Sequence, residues 1–152
     1  MNDLRKNEIN NWKLKEISEF VTIIAKDSIR ERNHLLKELK IPVDSDSGLY
    51  KSDTLINWLS MHKYYKFFFD SEGEEELNEQ AFKNSLLSKK ENVIITYGWK
   101  EPMVKIPTGI FIKDWEDFLA STQWETIIFS EDFELIMEVS RDYHLHSNFK
   151  IR

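Results

Sequence analysis

Residues 114–152 read DWEDFLASTQWETIIFSEDFELIMEVSRDYHLHSNFKIR, and the fold turns on how this stretch is parsed. Phe133, Leu135, Met137 and Val139 alternate with Glu134, Ile136, Glu138 and Ser140, the period of two expected of a strand with one buried face. A second alternation follows Arg141-Asp142-Tyr143, with Leu145, Phe149 and Ile151 on one parity and His144, His146, Asn148 and Lys150 on the other. A three-residue loop at 141–143 sets Val139 opposite Leu145, Leu135 opposite Phe149 and Glu138 opposite His146, so that both apolar sets face the same way. A two-residue loop would put Val139 opposite His146 and mix the faces, and such one-residue slips are costly when one face is buried. The three-residue loop is therefore expected, although it lacks the usual glycine. The competing pattern is a helix over 132–143, in which Phe133, Ile136, Met137 and Ser140 form a stripe; the alternation favours the hairpin.

Upstream, Thr126-Ile127-Ile128-Phe129 is a short β-rich run that supplies the first strand of a meander. Asp114 is positioned to cap a short helix reaching Ala120, because Glu116 and Asp117 in its first turn suit the positive end of the helix dipole. Trp115, Phe118 and Leu119 then share one face. From Asp114 through Ser140 there are eight acidic residues and no lysine or arginine.

The rest of the chain bounds the class of protein. Its 152 residues suffice for a single domain burying about 70% of the unfolded surface. Aromatic residues, at 13%, supply a core despite a charged fraction of 32%. The absence of cysteine excludes a disulfide framework, a thiol nucleophile and a cysteine zinc site. The first 16 residues contain no apolar signal region and no apolar run approaches membrane-spanning length, so a cytoplasmic protein without membrane association is expected. The net charge of −6 is uneven: residues 1–92 carry 15 basic and 17 acidic groups, residues 93–152 carry 6 and 10. Nucleic-acid binding, which leans on concentrated lysine and arginine, is not expected.

Ile9, Trp12, Ile17, Phe20, Val21 and Ile24 recur at helical spacing and predict an amphipathic helix over about 4–26. Ile29, Leu35, Leu36 and Leu39 continue the pattern to about 40, either as a second helix after Asp27-Ser28 or as an extension of the first, and Pro42 ends it. Residues 43–48 read as a polar loop. Ser52 or Asp53 then caps a third predicted helix carrying Leu55, Trp58, Leu59, His62 and Tyr65 on one face, and its aromatic end at 64–69 is either buried all round or turns to strand. After an acidic turn at 70–76, Leu77, Ala81, Phe82 and Leu86 suggest a fourth helix to about 89. Residues 89–92 mark the shift from helical to β-rich sequence and read as a turn within one domain. Residues 93–97 and 103–106 predict strands, with Pro107 ending the pairing. Thr108-Gly109 offers a turn, and Ile110-Phe111-Ile112 a further short run. The expected fold is α+β: N-terminal helices over about 1–90 packed on a C-terminal antiparallel sheet from about 93–152.

Chemistry-bearing motifs are sparse. No G-x-S-x-G, H-E-x-x-H or P-loop is present, and four glycines argue against a phosphate cradle. His34 and His62 lie on helical patterns without sequence partners. His144 and His146, two apart on a strand, with Glu138 across from His146, form the one arrangement suited to a divalent metal, and so to a metal-dependent hydrolase. An H-x-H pair is equally an ordinary exposed strand face, and no cofactor is expected. The acidic segment carries the stronger signal, because it combines uncompensated charge with two tryptophans, residues that anchor interfaces. The expected function is non-enzymatic. Asp114, Trp115, Glu116, Asp117, Trp124, Glu131, Asp132 and Glu134 form a surface that masks a basic protein partner, in the manner of an immunity or antitoxin-type protein against a cationic toxin. A regulatory subunit is the remaining alternative.

Overall fold

Contiguous β-branched residues lose rotamer freedom in a helix and pack well on a pleated surface, and two such runs, 93–96 and 126–128, form adjacent strands at the centre of the sheet. A computed structural model describes residues 9–43, 54–68, 75–97, 101–120, 126–140 and 144–151. Its strands are β1 (Thr22–Ala25), β2 (Tyr65–Phe68), β3 (Asn92–Thr96), β4 (Met103–Pro107), β5 (Thr126–Ser130), β6 (Ile136–Val139) and β7 (His144–Ser147). They form one seven-stranded sheet in the order β1-β4-β3-β5-β6-β7-β2, with every pairing antiparallel. Among the described residues, five short α-helices surround it: α1 (Trp12–Glu16), α2 (Ser28–Glu38), α3 (Glu75–Lys83), α4 (Thr108–Lys113) and α5 (Trp115–Ala120). None of the described helices is long and apolar enough to cross a membrane.

The expected division into N-terminal helices and a C-terminal sheet is overturned. Strands and helices interleave throughout, and the two edge strands, β1 and β2, come from the part expected to be helical. Within residues 9–26, the described part of the predicted 4–26 helix, only α1 and a 3₁₀ turn at Ser18–Phe20 are helical, because the following Val21-Thr22-Ile23-Ile24 is a β-branched run whose apolar spacing fits a helix only by coincidence. The predicted third helix is a 3₁₀ turn at Trp58–Ser60 followed by β2, and its proposed caps Ser52 and Asp53 lie outside the described residues. The run 110–112 belongs to α4 rather than to an extended segment.

The C-terminal hairpin has the register expected for a three-residue loop: Val139 pairs with Leu145 and Glu138 with His146. The loop itself lies outside the described residues. Ile136–Val139 is strand, which excludes the helix reading of 132–143, but the ladder is shorter than the alternation suggested. Phe133 takes φ 61° in the β5–β6 turn, so its ring leaves the Leu135–Met137–Val139 face and packs edge-on against Phe129, with ring centroids 5.6 Å apart.

Strand alternation gives the sheet two covered faces. On the first, Val93, Ile95, Val104, Ile106, Ile128, Met137, Val139 and Leu145 meet Leu14, Phe82, Phe111 and Phe118 from the helices. On the second, Ile94, Met103, Ile127, Phe129 and Ile136 meet Leu36 of α2 together with Ile56 and Trp58. Burial on both faces explains why β3 and β5 read as unbroken apolar runs rather than as alternations.

Candidate functional site

Folding splits the acidic segment into two clusters and brings lysines to both. The first is built on α1. Asn11 caps that helix, its side-chain oxygen accepting from the N–H groups of Lys13 (2.9 Å) and Leu14 (3.1 Å). Glu101 fixes the approach, both of its oxygens accepting from the Asn10 N–H at 3.0 and 3.1 Å. Lys13 is thereby buried, 5% exposed, and directed at α5, where its ammonium lies 2.7 Å from Asp114, 3.6 Å from Asp117 and 2.9 Å from Glu16 of its own helix. Burial pulls the Lys13 pKa down, but the hydrogen bonds to Asp114 and Glu16 outweigh it and the net shift is upward. Trp12, beside it, is 53% exposed.

The second cluster is the β5–β6 turn. Phe133 N–H donates to the Ser130 carbonyl at 2.8 Å, the Ser130 hydroxyl donates to Asp132 at 2.6 Å, and Glu134 N–H donates to the same Asp132 oxygen at 3.1 Å. These bonds hold Phe133 in its left-handed conformation. Lys90 lies 2.6 Å from Asp132 and 3.4 Å from Glu134, and Lys105 lies 2.9 Å from Glu131, which also accepts from the Asn92 amide at 3.0 Å. The Lys90 hydrogen bond holds the Asp132 carboxyl down at about 2, with help from Ser130, and the bonds from Asn92 and Lys105 lower Glu131.

The remaining residues of the expected surface fall elsewhere. Trp115 is buried in the first core, 5.8 Å from the Phe82 ring, because the apolar face of α5 must turn toward the sheet; it is not a surface anchor. Trp124 lies outside the described residues.

A different polar cluster occupies the second face of the sheet, at β6–β7. Glu138 is fully buried, and its carboxylate accepts from the N–H groups of Leu55 (2.6 Å) and Ile56 (3.1 Å) and from the Trp58 indole N–H (2.9 Å). Three donors from one short segment converge on one side chain, so Glu138 staples residues 55–58 to the sheet. Burial pushes its carboxyl up to about 7, against the opposing effects of these three donors and of Arg32. Across the strand pair, His146 Nδ1 and the Tyr64 hydroxyl are hydrogen-bonded at 3.0 Å, and the rings of Trp58, Tyr64 and His146 stack with centroids 5.8–6.1 Å apart. His144, one pleat away, packs edge-on with Phe68 at 5.4 Å. Among the described residues, no group of three or more histidine, aspartate or glutamate side chains is placed to hold a metal ion.

Lys13, Arg32, Trp58 and Tyr64 therefore carry roles that pattern reading did not assign. A signal existed only for Lys13, a cation beside Leu14; the others depend on contacts 80 or more residues apart, Arg32 and Trp58 with Glu138 and Tyr64 with His146. No protein-family model matches the chain, and no curated protein matches it.

Proposed function

We propose that the protein is a non-enzymatic binding module that masks a basic protein partner through its acidic surface, in the manner of an immunity or antitoxin-type protein. The observation that carries the reading is the cluster at α1 and α5, where three carboxylates, Glu16, Asp114 and Asp117, share the single ammonium of Lys13. These four groups carry a local excess of negative charge, with Glu116 next in sequence and the exposed indole of Trp12 alongside. A large exposed aromatic at the margin of a charged patch is the composition of an interface hot spot. Residues 131–134 contribute less, since Lys90 and Lys105 answer their charges. An acidic field steers a cationic partner and disfavours acidic ones.

The test compares two charge reversals for capture of host proteins, read by mass spectrometry and by association kinetics at varied salt. Glu16→Lys with Glu116→Lys and Asp117→Lys is expected to release a basic partner that the wild type holds. Glu131→Lys with Glu134→Lys is expected to retain most of it. The same proteins captured by wild type and by both variants, at the same salt-dependent rates, would remove the acidic surface from the function.

A further inference from the structure

β2 closes one side of the sheet, and among the described residues it pairs with β7 alone. In an antiparallel ladder alternate residues turn their N–H and C=O groups away from the neighbour, so an edge strand presents donors and acceptors to a further strand. The two edges of this sheet differ. β1 breaks register between Ile23 and Ala25, a bulge of the kind that ends pairing at sheet edges. β2 runs in unbroken register with β7 and contains no proline. Phe67, opposite Leu145, turns inward to the first core and fixes the pleat of the strand. Tyr65, 39% exposed, and Phe68, 53% exposed, then leave aromatic surface on both faces of the edge.

We propose that β2 is a self-association edge, at which a second copy of this chain adds its own β2 antiparallel across a two-fold axis and continues the sheet. The strand is self-complementary in one register. Directly opposite side chains of an antiparallel pair share a face, so residues of like parity must meet, and two such registers overlap most of β2. One sets Lys66 against Lys66 of the second copy, a like-charge pair that destabilises the ladder. The other sets Phe67 against Phe67 and, on both sides of the axis, the exposed Lys66 against the exposed Phe68 of the second copy, where the ring attracts the ammonium. Lys66 therefore selects a register rather than blocking the edge. The flanking sequence agrees: Lys63 and Lys66 lie toward the N-terminal end of β2, and Asp70 and Glu72 follow its C-terminal end. Antiparallel pairing opposes these unlike ends, whereas parallel pairing would align like with like. The interface is isologous and closes at two copies. A strand of unrelated sequence would gain the backbone bonds but not this pairing of side chains. The proposal does not rest on the acidic cluster at α1.

The experiment is sedimentation velocity on the full chain from about 10 μM to about 1 mM, with amide hydrogen exchange measured at both ends of that range. A monomer–dimer equilibrium with a Kd of about 100 μM or tighter is expected, and the protection gained at high concentration should fall on residues 65–68. Phe68→Lys sets lysine against Lys66 on both sides of the axis and should weaken the dimer by about tenfold. Phe68→Glu sets a carboxylate there and should retain the dimer. Lys66→Glu added to Phe68→Lys should restore it. Thermal melting of each dilute variant checks that the fold is kept, and the wild-type exchange pattern keeps the test decisive were a Phe68 variant to unfold. A monomer at every concentration, protection centred on β1 or elsewhere, or equal weakening by Phe68→Lys and Phe68→Glu would overturn the proposal.

Discussion

The two faces of the sheet are held by different physics. The first is hydrocarbon throughout its centre, with the Phe82, Phe111 and Phe118 rings 5.7–6.0 Å from centre to centre over Val, Ile and Met side chains. The second is hydrocarbon under α2 but turns polar at β6–β7, where Glu138 and His146 stand in the same layer as Ile127 and Ile136. Volume decides the first face, because close-packed interiors feel the loss of even a methylene. Hydrogen-bond satisfaction decides the polar part of the second, because a buried donor left alone costs its full desolvation. Substitutions on the two faces should therefore differ in their dependence on pH as well as in size.

The largest expected loss is on the first face. Phe118 is fully buried between the Phe111 ring and the sheet, and Phe118→Ala should cost about 3–5 kcal/mol in urea unfolding. The loss should be the same at pH 5 and pH 8, since the ring carries no proton and its hydrophobic partners carry none. A loss below about 1 kcal/mol would mean that α5 does not seal this face.

Glu138 should give the complementary result. Its carboxyl titrates at about 7 in the folded chain against 4.5 unfolded, so the folded state binds the proton more tightly. Its contribution is then fully present below pH 4.5 and is lost as pH rises through about 7. The shift corresponds to about 3 kcal/mol. Asp132 runs the opposite way: lowered from 3.8 to about 2, its contribution is present above 3.8 and lost as pH falls toward 2. The wild type should thus be more stable at pH 5 than at pH 8. Glu138→Gln should flatten that slope while lowering stability at pH 5 by about 1–3 kcal/mol, because an amide cannot accept from donors on both of its ends. The flattening is partial, since burial also raises Glu101. A slope unchanged in Glu138→Gln would detach the pH dependence from the staple.

These two residues also mark how far the sequence could be read. Phe118 was legible as core because Trp115, Phe118 and Leu119 share one face of the helix expected from Asp114 to Ala120. The Glu138–His146 pairing was legible because alternation on both sides of residues 141–143 permits one register that keeps the faces apart. What surrounds Glu138 was not legible, since Leu55, Ile56 and Trp58 lie 80–83 residues away and sat within a predicted helix. The edge strand β1 was missed for a related reason, since it carries Ile23 and Ile24 in apolar spacing shared with a helix; β2 was legible only as one of two readings of residues 64–69, because it exposes Tyr65 and Phe68, which no burial pattern announces. The acidic segment shows the same limit for charge. Its apparent lack of compensation was a property of the local window, and Lys13, Lys90 and Lys105 answer it from 101, 42 and 26 residues away.

The smallest prediction separates strain from packing, and it uses two non-glycine residues with positive φ, the two found among the described residues. Lys40, φ 58°, ends α2 in a Schellman arrangement: Ile41 N–H donates to the Leu36 carbonyl at 2.9 Å and Lys40 N–H to the Lys37 carbonyl at 3.1 Å. Its side chain is exposed, so glycine would keep both bonds, remove the clash between Cβ and the backbone, and lose little contact. Lys40→Gly should raise stability by about 0.5–1 kcal/mol, the gain being reduced by glycine's greater freedom in the unfolded chain. Phe133, φ 61°, has the same backbone strain but packs on Phe129 and the second core. Phe133→Gly should therefore lower stability, because the lost ring contact exceeds the relieved strain. Opposite signs at the two positions, read from urea midpoints at unchanged slope, would show that the β5–β6 turn is held by its ring while the end of α2 is held by its backbone bonds. A gain at both positions would mean that Phe133 contributes nothing to the second face, and that the Asp132–Ser130 bonds alone hold the turn.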